Sequence, residues 1–147
     1  MKNDCLISLE ATYIALDNVD NKIKAAESNL AERRNKYNDT CNIIDEALDY
    51  LYNCYICDKS EYRVIKFLIF FGGNVSDKIL THLFKKYRSI ALELKTEEKD
   101  ILLMYIDRLE YHASIFGAVS IEYGKSMTEL SREKEAKRKI LRKIGIK

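Results

Sequence analysis

The chain has 147 residues, 33% charged and 47% hydrophobic, with 10 Tyr, 5 Gly, 4 Cys and no Pro or Trp, a composition that fits one folded domain of ordinary size and excludes collagen-like, mucin-like and disordered classes. At average usage about seven prolines are expected, so their absence leaves long stretches in which nothing forces the backbone out of a helix. The net charge of +2, from 25 basic and 23 acidic residues, is too even to demand nucleic acid or a charged membrane as partner.

Its distribution is less even. Residues 1–61 carry 7 basic and 12 acidic groups, 62–131 carry 10 and 9, and 132–147 carry 8 and 2. The start, Met1-Lys2-Asn3-Asp4-Cys5, lacks the basic flank and apolar run of a secretory signal. The longest apolar run, Phe67 to Phe71, covers five residues, against about 20 for a membrane-spanning helix. The expectation is a cytoplasmic protein with no membrane partner.

The first predicted element rests on a seven-residue repeat, Leu9, Leu16, Ile23, Leu30, Tyr37, Ile44 and Leu51, which holds one apolar edge in phase. A weaker companion seam lies three residues on, at Thr12, Val19, Ala26, Arg33, Thr40, Ala47 and Cys54, mostly small residues that let a neighbouring helix approach. Asn38-Asp39-Thr40 could cap a new helix, yet the repeat crosses it in register, so one helix is expected over about 4–57. At 1.5 Å per residue such a helix is roughly 80 Å long.

Asp58-Lys59-Ser60-Glu61 has the spacing of a capping box and opens a short helix, about 60–71, closed by Gly72-Gly73. Asn74-Val75-Ser76-Asp77 restarts the chain, and Ile79, Leu80, Leu83, Phe84, Tyr87, Ile90 and Leu94 recur at helical spacing over about 76–94. A second long repeat, Leu102, Leu109, Phe116, Tyr123, Leu130 and Ile144, is broken only by Lys137. Thr96 is the expected cap, ahead of Glu97 and Glu98 at the positive end of the dipole, and the helix is placed at about 97–143. The expected fold class is all-α: a single-domain, elongated antiparallel helical bundle of two long heptad-patterned helices plus a helical hairpin, about four helices in all. The basic C-terminal part would then lie beside the acidic start with Asp4, Glu10, Asp17 and Asp20.

Cys54-Tyr55-Ile56-Cys57 is a Cys-x-x-Cys pair, but no second pair completes a zinc site, and Cys5, Cys41, His82 and His112 are scattered. At a helix C-terminus the dipole also disfavours a thiolate. No phosphate loop, Gly-x-Ser-x-Gly or His-Glu-x-x-His occurs, and Glu110-Tyr111-His112 lacks the spacing of a di-iron motif. No catalytic, metal or cofactor site is therefore expected, and Asp45, Glu46 and Asp49 are read as a solvated face. Gly72-Gly73-Asn74 is read as a tight turn in preference to an anion nest.

Three surfaces remain. Arg132, Lys134, Lys137, Arg138, Lys139, Arg142 and Lys143 spread around the last helix, so they cannot all meet the acidic start, and the surplus suits an acidic partner or nucleic acid. Phe67, Phe70 and Phe71 form a possible apolar docking patch. Ala113, Gly117, Ser120 and Gly124 share one helix face and point to close approach by another helix. The expected function is a non-catalytic interaction protein docking on a larger protein assembly, of the kind a viral or mobile-element accessory uses to block a host machine such as RNA polymerase. The alternatives are a nucleic-acid binder working through the basic C-terminal helix, and a self-associating, virion-like subunit.

Overall fold

The computed structural model describes the backbone of residues 2–72 and 76–145, and the side chains of residues 9–72 and 78–145. Among these residues the chain is all-α, with four helices: α1 (Lys2–Asn53), α2 (Lys59–Phe71), α3 (Ser76–Leu92) and α4 (Thr96–Lys143). It divides into two compact units, one of Met1–Lys36 with Ser120–Lys147, the other Tyr37–Val119.

α1 passes Asn38 without a break and stops four residues short of the expected end. The Tyr55 N–H donates to the Tyr52 carbonyl (3.1 Å) and the Ile56 N–H to the Leu51 carbonyl (2.9 Å), while Tyr55 itself is left-handed, with φ 61°. This is a Schellman stop whose left-handed position holds Tyr where Gly is usual. Leu51 and Ile56, both buried, supply the apolar contact across it. α2 begins at the capping box: Glu61 N–H donates to Asp58 Oδ1 at 2.7 Å and Asp58 N–H to Glu61 Oε1 at 3.2 Å. It ends at Gly72, whose N–H donates to the Leu68 carbonyl. Gly73, Asn74 and Val75 lie outside the described residues, and with them most of the diglycine turn and the restart before α3.

In the unit Tyr37–Val119 the core gathers one face of each helix: Ile44, Leu48 and Leu51 from α1, Ile65 and Ile69 from α2, Phe84, Tyr87 and Ala91 from α3, and Leu102, Ile106, Leu109 and Phe116 from α4. Each large apolar side chain removed from water here is worth about 1.5–3 kcal/mol. Aromatic pairs fix the register of α1 against α4, with Tyr50 stacked on Tyr105 at 4.0 Å and Tyr37 tilted against Phe116 at 5.7 Å. Partner numbers fall on α4 as they rise on α1, so the two run antiparallel. Arg88 joins α3 to α4 through Glu110 (2.8 Å) and Asp107 (3.1 Å), and Lys86 joins α3 to α2 through Glu61 (2.9 Å).

The start of α4 differs from expectation by one position. Thr96 is its first helical residue and the carbonyl of Lys95 already accepts from the Lys99 N–H at 2.8 Å, so the flanking residue is Lys95 and the Thr96 hydroxyl is not placed as a cap. Glu97 and Glu98 still fill the first turn, where carboxylates meet the positive end of the dipole.

In the other unit α1 and α4 again run antiparallel. Arg33 Nη1 donates to Ser126 Oγ at 2.7 Å and Arg33 Nη2 pairs with Glu122 at 3.2 Å, while Lys137 pairs with Asp20 at 2.7 Å. Here the seam of small residues lies deepest. Val19 and Ala26 are buried, as is Ser126 opposite, whereas in the main stripe Leu30 is buried, Leu16 and Ile23 are half-buried and Leu9 is exposed. Small side chains let the backbones close on one another, and the larger apolar ones are left to cover the flanks. Arg33, an odd residue for a seam, is there because its guanidinium reaches a buried hydroxyl and a carboxylate together.

Candidate interaction surfaces

Long-chain cations on a helix rim can either neutralise carboxylates within the fold or remain available, and the seven expected on α4 divide between these fates. Lys137 is half-buried and bound to Asp20. Arg138 is exposed and pairs with Glu135 one turn back on its own helix at 2.8 Å. Arg132, Lys134, Lys139, Arg142 and Lys143 are all exposed, and none has an ion pair among the described residues. Of the acidic residues described at the start, Asp20 meets a cation of this segment. Glu10 and Asp17 are exposed and make no ion pair among the described residues, and the Asp4 side chain lies outside the description.

The free cations are ordered. At 100° per residue Arg132, Lys139 and Lys143 fall within about 40° of one another, on a face well away from Lys137. Lys125, a heptad before Arg132, falls on the same line, is exposed and has no ion pair among the described residues. A count of the basic C-terminal segment misses it. The seven-residue spacing of Lys125, Arg132 and Lys139 is the signal that finds it. The result is a line of four cations on one helix face in the unit that holds both chain ends, suited to a polyanion or to a surface dense in carboxylates.

The apolar patch is carried by α2. Phe67 is 61% exposed and Phe71 79% exposed, with Val64 beside them on the same face. Phe70 turns the other way: it is half-buried and meets Phe116 edge-on at 5.0 Å, so it belongs to the core side of the helix. Arg63, exposed and without an ion pair among the described residues, borders the patch one turn before Phe67, and Lys59, also exposed, stands at the far end of the helix.

The remaining sequence candidates are placed as follows. Cys54 is exposed and Cys57 buried. Burial, then the carboxylates of Glu61 and Asp58, push the Cys57 thiol up to about 11. It is held as a thiol, the wrong state for a nucleophile. Cys41 is half-buried, and burial is also the first cause of its raised value, whereas the Cys5 side chain lies outside the described residues. His112 is half-buried with Nδ1 2.8 Å from the Arg108 carbonyl, and His82 is exposed. Among the described residues no group of three or more His, Cys, Asp or Glu side chains is arranged to hold a metal, and no helix is long and apolar enough to cross a membrane.

The spacing of the small-residue stripe predicts close approach either by a helix of this chain, through Ala11, Ala15 and Ala26, or by a helix of a partner, and the first of these is not found at its glycines. A Cβ added at Gly117 or at Gly124 would meet nothing within 4 Å, so among the described residues no neighbouring helix comes close there. Comparison of the chain with protein-family models, with curated proteins and with solved structures finds no match.

Proposed function

We propose that this is a non-catalytic helical interaction protein that docks on a larger macromolecular assembly through the cationic face of α4. The observation that carries the reading is the set of exposed cations without ion pairs among the described residues, Arg132, Lys134, Lys139, Arg142 and Lys143, on a helix whose Lys137 pairs with Asp20 of α1. A protein of this kind acts by occupation, and the finer proposal is a viral or mobile-element accessory that inhibits a host nucleic-acid machine such as RNA polymerase by presenting a rigid helix to a surface that accepts nucleic acid.

Affinity capture from the source cell with mass spectrometry tests this. The wild-type chain recovers a defined assembly, and a variant with Arg132, Lys139 and Lys143 changed to Glu loses it. Recovery of nothing by the wild type, or equal recovery by both, removes the proposal.

The alignment of Lys125, Arg132, Lys139 and Lys143 on one face also supports a second reading, direct binding of nucleic acid through phosphate contacts. Four phosphate contacts give a slope of about −3.6 in log affinity against log salt on duplex DNA. Gel-shift titrations at two salt concentrations distinguish the readings, since binding that ignores salt, or is absent, leaves the protein-docking reading alone.

A further inference from the structure

Two exposed apolar patches in the unit Tyr37–Val119 differ in the sign of the charge around them. The first is the outer face of α2, where Val64, Phe67 and Phe71 are exposed and the bordering charge is Arg63, one turn before Phe67, exposed and without an ion pair among the described residues. The second lies where α3 passes into α4: Leu92, Leu94, Ile101 and Met104 are exposed, and Glu93, Glu97 and Glu98 stand among them, also exposed and without ion pairs among the described residues. Lys95 is the exposed cation of that stretch. Glu97, Glu98, Ile101 and Met104 share one face of α4 by helical spacing.

The two patches do not coincide. The Glu61–Lys86 pair makes α3 return along α2, so the link into α4 is at the N-terminal end of α2, whereas Phe67 and Phe71 are at its C-terminal end. Each patch offers apolar surface plus the charge that the other lacks. We propose that the chain associates head-to-tail with a second copy of itself, the cationic apolar face of α2 in one copy seating on the acidic apolar shoulder at the start of α4 in the next.

Like-with-like pairing brings together two patches that carry the same sign of charge, Arg63 in the one case and Glu97 with Glu98 in the other, and so gains no complementary contact. Each patch is small beside the roughly 800 Å² per partner of a stable interface. Association is therefore reversible, rises with concentration and weakens with salt, by about tenfold or more between roughly 50 and 500 mM NaCl.

Sedimentation equilibrium of the full chain, up to about 1 mM, reads this directly. Two double variants each remove one patch: Phe67→Ser with Phe71→Ser, and Glu97→Lys with Glu98→Lys. All four positions are exposed, and circular dichroism verifies that each variant is folded; Glu97→Gln with Glu98→Gln replaces the Lys pair should that one unfold. The wild type gains mass with concentration, either variant alone stays monomeric, and an equimolar mixture of the two forms one-to-one dimers that grow no further, because each supplies the patch the other has lost. A wild type that is monomeric throughout overturns the proposal, as does association that persists in both variants or a mixture that fails to restore it. Sedimentation of a monomeric wild type with phosphatidylcholine vesicles containing about one-third phosphatidylserine, lost in the Phe67→Ser, Phe71→Ser variant, would assign the α2 face to a lipid surface and overturn it as well.

Discussion

Tyr87 sits in an apolar series that reads as core, and it is fully buried, with its hydroxyl near the Glu61 carboxylate but in no well-formed hydrogen bond among the described residues. Burial, and after it the Glu61 carboxylate, drives its ionisation far above the ordinary tyrosine range. An unsatisfied buried hydroxyl costs about 1–3 kcal/mol. Tyr87→Phe is therefore expected to leave the free energy of urea unfolding unchanged or raise it by up to about 2 kcal/mol, while Tyr87→Ala lowers it by about 3–5 kcal/mol through the cavity. A loss of more than about 1 kcal/mol in the Phe variant would show that the hydroxyl is bonded after all.

Cys57 makes a second prediction at this scale. Its thiol, ordinarily near 9.0, titrates in the folded chain at about 11. The folded state keeps a proton that the unfolded state has released, so this contribution to stability is complete below pH 9 and is lost as pH rises toward 11. Tyr62, pushed up to about 12 first by its hydrogen bond to Asp49, acts in the same direction at higher pH. Cys57→Ala should thus flatten, without abolishing, the fall in stability between pH 9 and 11. At pH 8 iodoacetamide should modify exposed Cys54 well before Cys57, and equal rates, followed by peptide mapping, would contradict the burial.

Among the elements, three glycines separate what spacing suggests from what packing requires. Gly117 and Gly124 lie within α4 with open space at the Cβ position, whereas a Cβ at Gly72 would stand 2.5 Å from the Leu68 carbonyl oxygen. Gly117→Ala and Gly124→Ala are expected to raise stability by about 1 kcal/mol each, the helix-propensity difference, and Gly72→Ala to lower it. Chemical denaturation of the three single variants measures both signs. Destabilisation at Gly117 or Gly124 would mean that another helix does approach that face. The capping box of α2 was legible because Asp58 and Glu61 satisfy each other's N–H groups within four consecutive residues. The end of α1 was not, because Tyr55 is 94% exposed in a left-handed conformation that its sequence neighbours do not announce. That stop is held by Leu51 and Ile56 closing over a core built from three other helices.

For the whole molecule, charge orients more than it stabilises. Among the described residues the Asp20–Lys137 pair links the acidic start to the basic end, and both side chains remain substantially exposed, at 44% and 38%. Pairs of this kind are worth about 0–1 kcal/mol. A double-mutant cycle with Asp20→Ala and Lys137→Ala should give a coupling below about 1 kcal/mol that disappears in molar salt. A coupling of several kcal/mol would require the pair to be buried. The cations that could serve a partner are those this cross-helix arrangement leaves over, and Lys125 joins them although it stands outside the basic C-terminal segment.

Helix as the regular structure of the described residues, two heptad stripes and the cap before α2 follow from the order of residues alone, since the absence of proline, apolar periodicity and a four-residue box act between near neighbours. Which seam is buried deepest, where α1 stops, which side Phe70 takes and which cations stay free were decided by tertiary structure. Each depends on a side chain far along the chain, such as Ser126 for Arg33, Phe116 for Phe70 or Asp20 for Lys137. Periodicity marks a face as apolar or charged, and only the helix that comes to lie against it determines what that face has left to offer.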